Sequence, residues 1–173
     1  MPNYQVKLGL GLHMGYAIEG PIGSYYKIDA SYLSPNVNMA ARLEAATKAY
    51  AVPILISGSL YKYFTRKTKQ NCRQVDWVVM SGSDEPVRLF TVDVDPSVLP
   101  LEEEQPYMNP REKKIKRVHD RIKRNNLRTS AFENTFEVSS TFETNADLKM
   151  MREGLKKEFF VAYDKAFNLY VKG

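Results

Sequence analysis

From Val6 to Met14 the sequence alternates between Val or Leu and small or polar side chains. A period of two residues is typical of a β-strand that buries one face. Glycine occupies two positions of the opposite face, Gly9 and Gly11, which indicates that another backbone passes close to the strand. This segment therefore predicts a β-sheet with a second element packed directly on it.

A helix is predicted further along, beginning at Ser34 and Pro35. Serine caps the free N–H groups of a first turn, and the fixed φ angle of proline suits the first helical position. The segment Asn36–Ala51 is rich in Ala, Leu, Glu and Lys, and it ends before a proline that cannot continue a helix. A short buried strand at Pro53–Ser57 and a short helix at Gly58–Thr65 are predicted to follow.

Further strands are predicted on both sides of this helix. Gly20–Ser24 has the glycine, proline and serine composition of a turn, and Tyr25–Tyr32 is a candidate strand of aromatic character. Arg73–Met80 and Val87–Val94 alternate again and predict a hairpin. The order strand, strand, helix, strand, helix, hairpin predicts an α/β (α+β) domain over residues 1–95.

The sequence changes character at residues 96–110, where prolines and an acidic run without periodicity indicate a linker. Residues 111–173 are predicted to form a basic, mainly helical extension. Eight of the 14 positions in Arg111–Arg124 are Lys or Arg. Asn145–Val171 is predicted as one continuous helix because its apolar residues recur with helical spacing.

Charge and cysteine content exclude several classes of protein. The 25 Lys and Arg residues exceed the 20 Asp and Glu residues, and the net charge of +5 permits an anionic partner without naming one. No apolar run approaches the roughly 18 residues that a membrane span needs. The single cysteine, Cys72, cannot form an internal disulfide, which favours a reducing, intracellular compartment. One cysteine with two histidines also argues against a structural zinc site.

Asn38 and Arg42 are the residues best placed for chemistry. They are four positions apart on the predicted helix, so they lie one turn apart on the same face. The arginine fork matches phosphate oxygens, and the amide can hydrogen-bond a ribose or phosphate oxygen. The alternative is that both are ordinary surface residues of an amphipathic helix. His13, in mid-strand with no Asp, Glu or Cys near it in sequence, is predicted to be structural.

Five ordered segments extend this interpretation. They are Gly11-Leu12-His13-Met14-Gly15, the turn-like Gly20-Pro21-Ile22-Gly23, the helical Val37-Asn38-Met39-Ala40-Ala41-Arg42, the strand Pro53-Ile54-Leu55-Ile56-Ser57, and the hairpin from Arg73 to Val92. Their order and spacing resemble the second half of the catalytic domain of class III nucleotidyl cyclases, the adenylate/guanylate cyclase family. The resemblance covers about residues 6–94, and the loop Lys27–Asn38 is most similar to that of large protist cyclases.

This resemblance implies a ferredoxin-like α/β sandwich that works as a head-to-tail homo- or heterodimer, with the active site at the interface. Two Asp residues of one subunit would hold two Mg²⁺ or Mn²⁺ ions. The ribose 3′-oxygen of ATP, or with less preference GTP, would attack the α-phosphate and release pyrophosphate, giving the 3′,5′-cyclic nucleotide. Asn38 would orient the ribose, and Arg42 would stabilise charge on the α-phosphate in the transition state.

The resemblance also implies a purine-recognition position ahead of the helix. Counting back from Asn38 gives Ser31. Asp29, two residues away, is chemically better suited to accept a hydrogen bond from an adenine amino group, and a shift in register would exchange the two. Both are also compatible with ordinary polar residues at a loop edge. The preference for ATP rests on this position.

The two metal-binding Asp residues of the family, and its purine-reading Lys, belong to the half of the domain that precedes the strand at Val6. We therefore expect no metal ligand in this chain, a sandwich truncated at its N-terminal side, and no turnover by the chain alone. The alternative is a non-catalytic cyclase-homology module that dimerises with a partner cyclase and regulates it. A metal-binding Asp pair encoded upstream would favour the enzyme.

The basic segment Arg111–Arg124 has a narrow apolar stripe formed by Ile115, Val118 and Ile122. It is compatible with a calmodulin-type partner or a membrane surface, and a solvated linker helix is the simpler alternative. Aromatic residues, which stack on nucleic-acid bases, are absent from it. No nucleic-acid partner is therefore expected.

Overall fold

The computed structural model describes residues 8–81, 83, 85–100, 109–133 and 137–172, and its secondary structure is mixed α/β, as predicted. The strands are β1 (Leu10–Leu12), β2 (Ile18–Ser24), β3 (Lys27–Leu33), β4 (Ile54–Ser57), β5 (Arg73–Val79) and β6 (Pro86–Thr91). The helices are α1 (Pro35–Tyr50), α2 (Gly58–Tyr61), α3 (Arg66–Lys69), α4 (Pro110–Phe132), α5 (Thr141–Thr144), α6 (Ala146–Arg152) and α7 (Lys157–Lys172). Short 3-10 helices occupy Pro96–Val98 and Val138–Ser140.

Four strands form one sheet in the order β1, β4, β6, β5. β1 runs parallel to β4, with Gly11 opposite Leu55, and α1 lies between these two strands in sequence. β6 runs antiparallel to both β4 and β5, so the predicted terminal hairpin is confirmed. Met39 and Leu43 of α1 form a buried cluster with Leu55 and Leu89 of the sheet. This cluster holds α1 against the sheet.

α1 begins where the sequence predicts. The Ser34 side chain accepts a hydrogen bond from the backbone N–H of Asn36, and Pro35 occupies the first helical position. The helix ends at Tyr50, and Ala51 follows in the left-handed region with φ of 52°. Local chemistry at the two ends therefore sets the length of the helix that carries the predicted site.

Two glycines allow α1 to lie directly on the N-terminal segment that includes β1. A Cβ atom at Gly11 would overlap the carbonyl oxygen of Ala40, and one at Gly9 would overlap the hydroxyl of the buried Thr47. The close backbone approach predicted from these glycines is confirmed. The strand itself is shorter than predicted, because β1 covers Leu10–Leu12 and residues 6 and 7 lie outside the described residues.

Among the described strands, β2 and β3 pair only with each other, in a two-stranded antiparallel sheet that is named the arm below. The predicted turn at Gly20–Ser24 is wrong, because these residues belong to β2 and the chain turns at Tyr25 and Tyr26 instead. Pairing with β3 outweighs the turn-like composition of β2. Its proline, Pro21, is tolerated because a two-stranded sheet consists of edges, where a missing N–H group need not break a ladder.

The chain divides into two compact units, Met1–Val94 with Leu155–Gly173 and Asp95–Gly154. The sequence predicts instead that residues 155–173 belong to the C-terminal extension over residues 111–173. The single helix predicted over Asn145–Val171 is wrong, since α6 and α7 are separate. Gly154 lies in the break, and glycine inside a helix costs about 1 kcal/mol relative to alanine.

α7 contacts β5 through polar and aromatic side chains of the first unit. The Nε and Nη2 atoms of Arg73 donate to the two carboxylate oxygens of Asp93 at 2.8 and 2.6 Å. The Arg73 guanidinium also lies 4.3 Å from the ring centroid of Tyr163, whose hydroxyl donates to the carbonyl of Val75 at 3.3 Å. The side chains of the ion pair are 11% and 15% exposed. These contacts fix the C-terminal helix on the sheet.

In the second unit, α4 begins with a reciprocal cap. Asn109 Oδ1 accepts from the N–H of Glu112, and Glu112 Oε2 accepts from the N–H of Asn109, both at 2.9 Å. The helix extends past the predicted segment Arg111–Arg124 to Phe132, because no glycine or proline interrupts it. Residues 101–108 of the predicted linker lie outside the described residues. No helix in the described ranges combines the length and apolar character needed to cross a membrane.

Candidate functional site

α1 presents Asn38 and Arg42 one turn apart, beside the face that buries Met39 and Leu43. The Asn38 side chain is exposed and that of Arg42 is half-buried. Among the described residues, neither side chain takes part in a hydrogen bond or ion pair. The amide and the guanidinium are therefore both available to a ligand that approaches this face of the helix.

The first turn of α1 is tied to the segment that follows β1. Ser34 Oγ donates to the carbonyl oxygen of Tyr16 at 2.6 Å. Asn36 Nδ2 donates to the same carbonyl at 2.9 Å and to Ser34 Oγ at 3.1 Å. A Cβ atom at Gly15 would overlap the Asn36 side chain, so any other residue there would displace the Asn36 amide. The helix that carries Asn38 therefore has a rigid starting point.

His13 links this starting point to the sheet. Its Nε2 lies 3.1 Å from Asn36 Oδ1, and its Nδ1 lies 2.9 Å from Ser57 Oγ and 3.1 Å from Ser59 Oγ. Ser57 is fully buried and also accepts from the N–H of Leu60, as the cap of α2. These partners agree with the structural role predicted for His13. The network joins the end of β1, the end of β4 and the start of α1.

The two predicted purine-binding residues lie on β3 of the arm. Ser31 is half-buried and pairs with Gly20, while Asp29 is exposed and pairs with Ile22. Because side chains alternate along a strand, the two residues share one face of the arm. Asp29 Oδ2 forms an exposed ion pair with Lys27 Nζ at 2.9 Å. Within the described residues, no hydrogen bond or ion pair joins either one to Asn38 or Arg42.

The described residues place few side chains where they could bind a metal ion together. No group of three or more His, Cys, Asp or Glu side chains that could hold a metal ion occurs among the described residues. Asp93 is engaged by Arg73, and Asp76 accepts from the hydroxyl of Tyr50 and from the N–H of Trp77. The described residues do not fit the two-metal site that the resemblance implies.

About half of the chain is similar in sequence to a known protein. A stretch of 89 residues is 30% identical to a protein of Anabaena cylindrica named adenylate cyclase, covering 51% of this chain and 18% of that protein. About half of the chain is therefore similar to an adenylate cyclase. The family resemblance seen in the sequence is thereby confirmed over about half of the chain. No protein-family model matches the chain.

Two solved structures of a bacterial light-regulated adenylyl cyclase are also similar to this chain. Both are 28% identical to it and cover 49% of it and 23% of their own chains. The TM-scores are 0.41 and 0.40. The matched stretch thus spans less than a quarter of the length of each of these proteins.

The sequence missed Asn36 as a site residue. It lies two positions before Asn38, and its role is visible only once Tyr16, His13 and Gly15 surround it. One signal was present, because Asn directly after Ser-Pro lies in the first helical turn, where polar side chains can bond to neighbouring backbone groups. Nothing in the local sequence points to Ser59 as a partner of His13.

Proposed function

We propose that this chain supplies Asn38 and Arg42 to a nucleotidyl cyclase site that converts a purine nucleoside triphosphate, ATP in preference to GTP, into its 3′,5′-cyclic nucleotide. The observation that carries the proposal is the placement of Asn38 and Arg42 one turn apart on an anchored helix, where neither side chain makes a hydrogen bond or ion pair to the described residues. The similarity of half the chain to an adenylate cyclase supports the same assignment.

The role of each group follows from the charge that develops in the reaction. The ribose 3′-hydroxyl passes its proton to water and its oxygen bonds to the α-phosphorus, while the bond to the pyrophosphate oxygen breaks and pyrophosphate leaves. Negative charge builds on the α-phosphate oxygens, and the Arg42 fork donates two hydrogen bonds to them. Asn38, one turn earlier, holds the ribose so that its 3′-oxygen faces the phosphorus.

The arm contributes purine recognition in this proposal. Asp29 accepts a hydrogen bond from the adenine amino group once it releases Lys27, and Ser31 contacts the base edge beside it. A guanine oxygen at that position would face the carboxylate, which favours ATP. An exposed ion pair contributes little energy, about 0–1 kcal/mol, so its release does not prevent binding.

The proposal requires a complementary subunit. The resemblance implies a dimer whose interface forms the site, with two Mg²⁺ or Mn²⁺ ions held by carboxylates of the other subunit. The described residues of this chain provide the positioning side chains and no metal cluster. We therefore expect the isolated chain to be inactive and to gain activity only when paired.

Complementation tests this proposal. The partner is a bacterial adenylyl cyclase domain with intact metal carboxylates and with alanine at the positions equivalent to Asn38 and Arg42. The two proteins are mixed with Mn²⁺ and either ATP or GTP, co-elution verifies pairing, and cyclic nucleotide is measured. Wild-type chain should restore product, and Arg42→Ala should lower the restored rate by on the order of 10²–10³.

Lys48→Ala is the matched control, because Lys48 is an exposed cation in the last turn of the same helix. It should restore product as well as the wild type does. Absence of pairing, or pairing without product, would overturn the proposal. A chain that changes the rate of an intact cyclase regardless of Asn38 and Arg42 would instead establish the non-catalytic regulatory module.

A further inference from the structure

The positive charge of this protein is concentrated in α4. Nine of the 23 residues of α4 are Lys or Arg and two are Asp or Glu, so the helix carries +7. Because the whole chain carries +5, the remaining residues together carry −2. The basic character of the protein therefore belongs to one helix and is not spread over its surface.

This helix is exposed along its length. Of the side chains described in Pro110–Phe132, all are exposed except those of Asp120 and Ser130, which are half-buried. Even its apolar residues face solvent, with Ile115 61%, Val118 44% and Ile122 52% exposed. Because these three apolar side chains are exposed to water, binding to a surface that covers them is favourable.

The stripe and the charges lie on different sides of α4. At 3.6 residues per turn the three apolar side chains fall within about 60° of arc, and eight of the nine basic side chains fall within about 180° on the other side. Arg111 is the exception, because it falls within the arc of the stripe, one turn before Ile115. Long Lys and Arg side chains can bend toward a surface that the stripe contacts, because their stems are apolar and flexible.

We propose that α4 binds the surface of a bilayer that contains anionic lipids, lying parallel to it with Ile115, Val118 and Ile122 inserted between headgroups. A 23-residue helix is about 35 Å long, which lets its charges contact many lipid headgroups at once. Basic amphipathic helices of low hydrophobicity bind membranes in this way.

Charge complementarity favours lipid over the two other partners of a basic helix. A groove-binding protein relies on large apolar anchors, whereas this stripe has three β-branched residues and its charges cover half the circumference. Single-stranded nucleic acid is bound by stacking on aromatic rings, and Phe132, at the C-terminal end, is the one aromatic residue of α4. A continuous anionic surface matches a wide basic arc better than either.

Vesicle sedimentation with the complete chain tests the proposal. Vesicles of phosphatidylcholine with about 30% phosphatidylserine are compared with phosphatidylcholine alone, at low and at high salt, since salt screens surface charge. The wild type should bind the anionic vesicles at low salt and leave them at high salt. Equal binding to both vesicle types, or no binding, would overturn the proposal.

Two variants with the same net charge locate the binding surface. The first replaces Lys114, Arg117, Arg121 and Arg124 of α4 with Gln, which keeps helix propensity. The second replaces Lys48, Arg66, Lys149 and Lys165, which are exposed and outside α4. Each basic residue near an anionic surface changes partitioning about fivefold, so the α4 variant should lose more than about 100-fold and the control should bind like the wild type.

The same two variants separate lipid from the other partners. Equal losses in both would show that overall charge, and not α4, drives binding. The unmodified chain is also titrated with Ca²⁺-loaded calmodulin and with a single-stranded DNA oligonucleotide. Tighter binding to either of these than to the anionic vesicles would overturn the assignment to a membrane surface.

Discussion

His13 Nε2 lies 3.1 Å from Asn36 Oδ1, so a residue just past β1 is hydrogen-bonded to the first turn of the helix that carries Asn38 and Arg42. The Asn36 amide nitrogen donates to Tyr16 and Ser34, which leaves its oxygen to accept. Nε2 therefore donates to this oxygen, and Nδ1 lies within hydrogen-bond distance of the hydroxyls of Ser57 and Ser59.

We predict that His13→Ala lowers the free energy of unfolding by about 1–2 kcal/mol, because it removes the shared partner of Asn36 and Ser57. Urea titration followed by circular dichroism measures the change. His119→Ala is the control, since His119 is exposed on α4, and its effect should stay within about 0.5 kcal/mol. Equal effects of the two substitutions would contradict the prediction.

A second prediction concerns the contact between α1 and β1. Gly11→Ala should destabilise the chain by about 1–3 kcal/mol, because its methyl group would overlap the backbone of Ala40 and Glu44. Gly20→Ala provides the contrast, since nothing lies within 4 Å of a Cβ at Gly20. That variant should unfold at the same urea concentration as the wild type or slightly higher. A neutral Gly11→Ala would mean that α1 sits further from the strand.

A third prediction concerns the Arg73–Asp93 ion pair, which helps to hold α7 on the sheet. Arg73→Ala leaves the poorly exposed carboxylate without its bidentate partner and removes the cation over Tyr163, so we expect a loss of about 3 kcal/mol. Hydrogen exchange should speed up in Lys157–Lys172 before the sheet is affected. Arg88→Ala, which removes an exposed arginine over Trp77, should leave that exchange unchanged.

The sequence predicted elements where local chemistry decides them. Ser34 and Pro35 set the start of α1, and the spacing of Asn38 and Arg42 alone placed both on one face. The sequence-based predictions were wrong or incomplete where contacts between residues far apart in the sequence determine the structure. Gly20–Ser24 forms a strand because β3 pairs with it, and the partners of His13 lie 23 to 46 positions away. No local pattern reports such contacts, so the anchor of the site could be seen only in the structure.

Tyr50 gives a prediction for alkaline pH. Burial, and then the hydrogen bond that its hydroxyl donates to Asp76 at 2.5 Å, raise the pKa of Tyr50 above its ordinary value near 10. The folded state therefore favours the protonated phenol. This contribution to stability is fully present below about pH 10 and is lost as the pH rises through the folded-state pKa.

Tyr50→Phe should therefore flatten the fall in unfolding free energy above about pH 10, at the expense of about 1 kcal/mol at neutral pH from the lost hydrogen bond. Burial also raises the pKa of Tyr61, so some slope should remain. Tyr25→Phe, which alters a fully exposed ring at the tip of the arm, should leave the profile unchanged. Urea titrations across this pH range make the comparison, and an unaltered slope in Tyr50→Phe would contradict the assignment.

Asn38 gives the prediction that separates a functional residue from a structural one. Its amide makes no hydrogen bond to the described residues, and alanine has a higher helix propensity than asparagine. Asn38→Ala should therefore raise the free energy of unfolding by about 0.5 kcal/mol while it lowers the activity restored by complementation. Met39→Ala, at the neighbouring buried position, should do the opposite. It should lower the free energy of unfolding by about 2–5 kcal/mol, with no loss in the activity that the folded chain restores. If Asn38→Ala destabilised the chain by more than about 1 kcal/mol, the amide would hold the fold together, and its assignment to the ribose would fail.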